Sequence, residues 1–179
     1  MQSTMDRSPV IRMAQKSDIA ELSEFAIETY SAAFGHSFRD ADLAAHLQRN
    51  LSPASFSRIL DEDVVLLAEV GNRLIGYVQF GAAQTVSADT QDRELRRLYV
   101  HPEFQNRGYG SALMEAALRH PRLQDAANIY LDVWEHNPGA QRFYRRYGFE
   151  VIGTRRFEVE SGAETSLDLV MVRRASPEG

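Results

Sequence analysis

The sequence predicts a single-domain α/β fold: a mixed, mostly antiparallel central sheet with flanking helices. Three observations predict it. Apolar residues recur at helical spacing up to about position 60, then give way to β-branched runs. A turn signal, Gly71-Asn72, separates two of those runs and marks a hairpin. Further along, two strand-like runs each lead straight into a helix-like stretch. The length of 179 residues suits one compact domain, and 44% hydrophobic residues suffice for one core. With no repeat, low-complexity tract or linker, the domain is assigned to 1–179, its core to about 10–172.

The elements follow in order. Val10-Ile-Arg-Met13 reads as a first strand. Ser17 is taken as the N-cap of a helix, because Ile19, Leu22, Phe25, Ala26 and Tyr30 then recur on one face. That helix ends near Phe34-Gly35, and a second covers about 40–50. Ser52-Pro53 opens a third, short helix, with serine as cap and proline in the first turn. Val64 to Val70 and Leu74 to Phe80 form the hairpin, and 83–92 is polar and turn-like. Glu94 to Val100 is a strand, Gly108 to His120 a helix, Ile129 to Trp134 a strand, and Pro138 to Tyr147 a helix stopped by Gly148. Two last strands cover about 149–158 and 164–172.

Composition excludes several chemistries. The chain has no cysteine, so disulfides, thiolate metal sites and a cysteine nucleophile are ruled out. His36, His46, His101, His120 and His136 lie far apart and form no metal-ligand spacing, so no metal is expected. The net charge of −5 and pI near 5.5 argue against nucleic acid as a partner. No apolar run approaches the roughly 18–20 residues that cross a bilayer. The N-terminus carries Asp6 and Arg7 and is not a secretory signal, so a soluble cytoplasmic protein is expected.

Two segments carry chemistry. In the first, the strand ending Leu98-Tyr99-Val100 runs into a loop holding Gln105-x-x-Gly108-x-Gly110, and a helix follows at once. The first turn of a helix has unpaired N–H groups and a partial positive charge. Glycines there let a phosphate approach the backbone, so the loop can cradle a pyrophosphate. It is neither a Walker loop, lacking G-K-[ST], nor a three-glycine dinucleotide fingerprint. In the second, a strand leads through Asn137-Pro138-Gly139 into a helix. Phe143 and Tyr147, four apart, can share one face, with Tyr144 beside that stripe and free to point elsewhere.

At these residues the chain resembles a known family, the Gcn5-related N-acetyltransferases (GNAT). The first segment is similar to that family's Q/R-x-x-G-x-G/A motif. The second is similar to its asparagine followed by A-x-x-F/L-Y-x-x-x-G-F, here Asn137, Ala140, Phe143, Tyr144, Gly148 and Phe149. The two motifs keep their order and separation, and the resemblance runs from about Val10 to Val172. It implies the GNAT fold, with two splayed central strands, and acetyl-CoA as cosubstrate. It implies that backbone groups of Leu98 and Val100, flanking Tyr99, hold the pantetheine arm and polarise the acetyl carbonyl. Amides of Gln105, Asn106, Arg107, Gly108, Tyr109, Gly110 and Ser111 would hold the pyrophosphate. Asn137 would touch the cofactor arm, and Tyr144 would lie near the sulfur.

The chemistry asks for the same parts. An alkyl amine, with a pKa near ~10, must lose a proton before it attacks a thioester. The leaving thiolate needs a proton, which a phenol such as Tyr144 can give. The oxyanion needs an N–H donor. Without cysteine, transfer is direct. Glu94 and Asp132 are the candidate bases; each could instead sit in a structural salt bridge, with Arg96 or Arg97 near in sequence. Arg107, Arg142, Arg145 and Arg146 could reach a 3′-phosphate. His36-Ser-Phe-Arg-Asp40 matches H-x-x-x-D, a short pattern that occurs by chance, and no G-x-S-x-G elbow is present.

The acceptor is the least legible part. Glu28 to Phe38 and Trp134-Glu-His-Asn137 resemble polyamine or diamine acetyltransferases of the family. Glu28, Asp40, Asp42, Glu158, Glu160 and Glu164 could complement a polycation. The expected partner is therefore a polyamine-like small amine. A peptide N-terminus or lysine, and a catalytically silent CoA-binding sensor, are the alternatives; a homodimer is left open.

Overall fold

The computed structural model describes residues 7–84, 89–157 and 166–176. Strands β1 (Val10–Met13), β2 (Val64–Val70), β3 (Arg73–Ala82), β4 (Arg93–Val100), β5 (Asn128–Trp134), β6 (Glu150–Phe157) and β7 (Ser166–Arg174) form one sheet. Its order is β1-β2-β3-β4-β5-β7-β6. The helices are α1 (Ile19–Phe34), α2 (Asp40–Leu51), α3 (Pro53–Glu62), α4 (Tyr109–Arg119), α5 (Pro121–Gln124) and α6 (Pro138–Arg146). The sheet is mixed as predicted: β1/β2, β2/β3, β5/β7 and β6/β7 are antiparallel, and β4/β5 is parallel. The parallel ladder runs over Arg93↔Ile129 and Glu94↔Tyr130 and goes no further, the short register of a splayed pair.

The chain folds into two compact units. One takes residues 1–80 and 97–119, the other 81–96 and 120–179. In the first, side chains alternate across the strands. Val65, Leu67 and Tyr77 point to one face, where they pack with Leu22, Phe25 and Ala26 of α1, Leu51 of α2 and Phe56 of α3. α4 packs on β1 and β2. In the second unit, β5 reads as strict alternation, with Ile129, Leu131 and Val133 buried. Val170, Met171 and Val172 of β7 are buried with them, as are Leu95, Leu123, Ala126, Tyr144 and Phe149.

Most boundaries match the sequence reading within two residues. Ser52 caps α3, its Oγ accepting from Ser55 N–H at 3.3 Å. Ser17 does not cap α1: it lies inside a 3₁₀ turn over Lys16–Asp18, and Asp18 is the N-cap residue. The reason is local competition. The Asp18 carboxylate accepts from Gln15 N–H at 2.7 Å and from Arg12 at 2.8 and 2.9 Å, which anchors the chain one residue later. The helix expected over Gly108 to His120 is α4, matched to one residue at each end, and the short α5 that follows, capped by His120 with Pro121 in its first turn, was not anticipated. The turn expected at 83–92 is described only in part, since 85–88 lie outside the described residues.

Candidate active site

In the first unit the candidate groups are backbone. β4 ends where His101 N–H donates to Ile75 O at 2.8 Å, which ties the strand end to β3. Gln105 folds back to donate from Nε2 to Val100 O at 3.0 Å, so the loop is fastened to the strand it leaves. Asn106 and Gly108 both take the left-handed region, at φ 61° and 83°. Two such turns in three residues reverse the chain into α4, and a side chain at Gly108 would be strained there. A Cβ built on Gly108 meets nothing within 4 Å, so the space beside it is open to a ligand. Ala112 N–H closes the first helical turn on Gly108 O at 3.0 Å. By helix geometry the amides ahead of it, Tyr109, Gly110 and Ser111, have no carbonyl within the helix. This is the open, positively polarised helix end that an anion needs. The Phe104 ring lies 6.1 Å from that of Tyr109, with Arg73 and Arg107 over it at 5.0 and 5.7 Å.

Leu98, Tyr99 and Val100 all lie in β4. A residue the sequence reading missed sets their position. A Cβ on Gly76 of β3 would sit 2.8 Å from Tyr99 O and 3.0 Å from Leu113 of α4. No real side chain fits there, so β3, β4 and α4 close up only on glycine. A lone glycine inside an apolar strand run was the available signal.

In the second unit the candidate groups are side chains. Asn137 caps α6, its Oδ1 accepting from Ala140 N–H at 3.1 Å. Its amide Nδ2 is the remaining donor for a ligand. Tyr144 is buried at 9% exposure and packs edge-on against Phe149 and Phe143. Phe143 and Tyr147 do share a face, with rings 5.2 Å apart, but it is the less buried one. Arg146 lies over the Phe143 ring at 5.5 Å, while Arg142 and Arg145 are exposed on the same helix.

The two candidate bases differ. Glu94 is held by Arg96 at 2.8 Å and also accepts from Gln84 N–H at 3.4 Å. Asp132 pairs with Arg155 of β6 at 3.2 Å, not with an arginine near it in sequence. Burial holds the Asp132 carboxyl above its ordinary range; Arg155 pulls it down, and Glu94 pushes it up. Asp168 on β7, which the sequence reading passed over, stands opposite Arg155 and diagonal to Asp132. Burial first, then Asp132, push the Asp168 carboxyl up to about 6; Arg155 opposes them and Glu135 adds to the rise. Its signal was a carboxylate inside the apolar run Leu167-Asp-Leu-Val-Met171. Of the acidic residues proposed for a polycation, Glu158, Glu160 and Glu164 lie outside the described residues. Asp40 and Asp42 sit in the first turn of α2, and Glu28 reaches His101 Nε2 at 3.2 Å. Among the described residues no group of three acidic or histidine side chains could hold a metal, and no helix is long and apolar enough to cross a membrane.

A strand feeding an open helix N-terminus, followed by a capped helix carrying a buried phenol, defines an acyltransferase of the GNAT type. The chain belongs to the Acetyltransferase (GNAT) family, whose model matches residues 20–149. An uncharacterized N-acetyltransferase of Mycobacterium tuberculosis (strain ATCC 25618 / H37Rv) is 34% identical over 158 residues, covering 87% of this chain and 97% of that one. A spermine/spermidine N(1)-acetyltransferase of Bacillus subtilis (strain 168) is 29% identical over 90 residues, 49% of this chain and 59% of that one. Among solved structures, the PaiA N-acetyltransferase of Thermoplasma acidophilum in complex with coenzyme A shares the fold. Its TM-score is 0.75 at 19% identity, with 94% of this chain and 100% of that one covered.

Proposed function

We infer that the chain moves the acetyl group of acetyl-CoA directly onto a primary amine of a small di- or polyamine. The observation that carries the cosubstrate is the open N-terminus of α4 behind Gly108, at φ 83° with no atom within 4 Å of a Cβ there. A pyrophosphate fits that end: the amides of Gly108 to Ser111 donate and the helix dipole favours its charge. The T. acidophilum relative in fold, solved with coenzyme A, supports the same choice. Backbone of Leu98 and Val100 would hold the arm and donate to the acetyl oxygen, and Asn137 Nδ2 would donate to the arm. The amine nitrogen forms a bond to the acetyl carbon, the carbon–sulfur bond breaks, and Tyr144 gives the sulfur its proton. The proton lost by the amine passes to a carboxylate. Asp132 is the better base of the two candidates, because its proton affinity is raised, whereas Glu94 is tied to Arg96 at 2.8 Å.

The amine class rests on two supports. One is the B. subtilis relative, named for spermine and spermidine. The other is the surplus of carboxylate around Asp132, Asp168 and Glu135, with Arg155 as the cation among them. Such a surplus suits a distal ammonium group. The test is CoA release with saturating acetyl-CoA across spermidine, putrescine, lysine, an aminoglycoside and short peptides. An amine with two or more amino groups should lead in kcat/KM. A peptide N-terminus or aminoglycoside ahead of every diamine by tenfold would overturn the acceptor class. CoA release with none of them would overturn the acetyltransferase reading.

A further inference from the structure

Arg97 on β4 faces the α1–α3 side of the sheet, half-buried beside Tyr77 and Gln79. Its Nη1 donates to Gln79 Oε1 at 3.0 Å and its Nη2 reaches Asn50 O, at the end of α2, at 3.5 Å. Gln79, 2% exposed, passes its own amide to Asp63 Oδ2 at 2.7 Å. The nearest carboxylate in this chain of contacts is therefore reached only through a neutral amide. Among the described residues Arg97 makes no ion pair, while Arg96 beside it binds Glu94 at 2.8 Å. A guanidinium drawn out of water is costly unless an anion compensates it.

A second observation points the same way. Tyr77 Oη is fully buried and, among the described residues, has no hydrogen-bond partner. Its ring lies 5.9 Å from that of Tyr99, and the charge of Arg97 acts on it. A phenol O–H left unbonded in a core is rare and marks a position where an acceptor atom is wanted. Burial, then Arg97 and Arg49, hold the His46 imidazole below its ordinary value, so it is neutral at physiological pH. It stacks on Tyr30 at 4.7 Å and lies 3.3 Å from the Asn50 amide.

We propose that this corner is a carboxylate subsite, so that the acceptor is a diamino acid rather than a bare polyamine. The inference rests on the N-acetyltransferase reading above and narrows its acceptor. Arg97 directly precedes Leu98, whose backbone faces the acetyl group in that reading, and neighbouring Cα atoms are about 3.8 Å apart. The guanidinium itself turns toward Gln79 and Asn50, so a carboxylate on it would belong to the far end of the acceptor, away from the attacking nitrogen. One guanidinium and one phenol match the single charge of a carboxylate better than a phosphate group, which carries about −1.5 to −2.

The experiment compares ornithine, ornithinamide and putrescine by CoA release at saturating acetyl-CoA. Lysine and cadaverine form a second pair. Ornithine should exceed both of its analogues at least tenfold in kcat/KM. In Arg97→Gln that ratio should collapse toward one, and Arg97→Lys should retain part of it. A merely structural arginine would lower all three substrates together and leave the ratio in place, which would overturn the proposal. Putrescine or ornithinamide matching ornithine in the wild type would overturn it as well, while leaving the acetyltransferase reading intact. If Arg97→Gln fails to fold, the wild-type ratio and Arg97→Lys decide.

Discussion

The protein makes two transitions from strand to helix, and they end differently. Between Trp134 and Pro138 the chain closes its own helix: Asn137 Oδ1 takes the Ala140 N–H at 3.1 Å, and proline needs no partner for a missing N–H. Between Val100 and Tyr109 it does the opposite. The residue entering α4 is Gly108, which has no side chain to accept from the helix. The lesson is that a helix start is a site when the sequence leaves it unsatisfied. In the proposed site the first transition would offer backbone to a ligand; the second satisfies its backbone and would offer a side chain, Tyr144, about two turns further on.

The largest expected effect strikes what the second transition offers. Tyr144→Phe keeps the ring and its packing but removes the hydroxyl. It should lower kcat by about 10²–10⁴-fold while acetyl-CoA binding changes little. Steady-state rates beside a binding titration check this; an unchanged kcat, with chemistry rate-limiting, would return Tyr144 to a packing role.

Next comes the open end. Acetyl-CoA at a hundredfold excess over Kd should stabilise the wild type by about 2.7 kcal/mol. In Gly108→Val that gain should vanish, because the side chain fills the space the phosphates would use. Thermal scans with and without acetyl-CoA separate this from the lower starting stability expected of a branched residue at φ 83°. A full gain in the variant would place the cradle elsewhere.

The closed end gives a smaller effect and sharpens the contrast. Asn137→Ala should cost about 1 kcal/mol without any ligand, through loss of the cap. Asn137→Asp keeps a capping oxygen but loses the Nδ2 donor. It should hold ligand-free stability while weakening acetyl-CoA binding, as read by denaturation and titration. Equal binding by Asn137→Asp and wild type would leave Asn137 a cap alone.

The smallest effect concerns Asp168. Its folded value, about 6, lies above that of an unfolded aspartate, so the protonated form is the one the fold favours. Its contribution is therefore full below pH ~4 and is lost as pH rises through about 6. Asp168→Asn should raise Tm at pH 7.5 by roughly 2–4 °C, about 1 kcal/mol after solvent screening. The gain should fade by pH 4. A gain of the same size at both pH values would mean packing, not charge.

The motifs were legible because they are local. Gln105, Gly108 and Gly110, and Asn137 with Tyr144, sit on single strand-to-helix turns, where spacing alone fixes which atoms meet. The hairpin at Gly71-Asn72 was legible for the same reason. What depends on distant pairing was not. Nothing near Asp132 in sequence announces Arg155, because the two meet only through β7, placed between β5 and β6. Asp168 stayed hidden for that reason too. Ser17 failed as a cap through a local rival instead: the Asp18 carboxylate takes the Gln15 N–H at 2.7 Å and pairs with Arg12, six residues back, at 2.8 Å, which outweighs a serine's preference.

Gly76 gives the active strand a mould rather than a contact. With Tyr99 O only 2.8 Å from where its Cβ would be, β3 has no slack behind β4. Any added methyl must push β4 and Leu113 of α4 away from β3. In the proposed site the strand that would hold the acetyl group is thus positioned from its neighbour, and a residue that would touch no substrate sets the tolerance to which the substrate would be held.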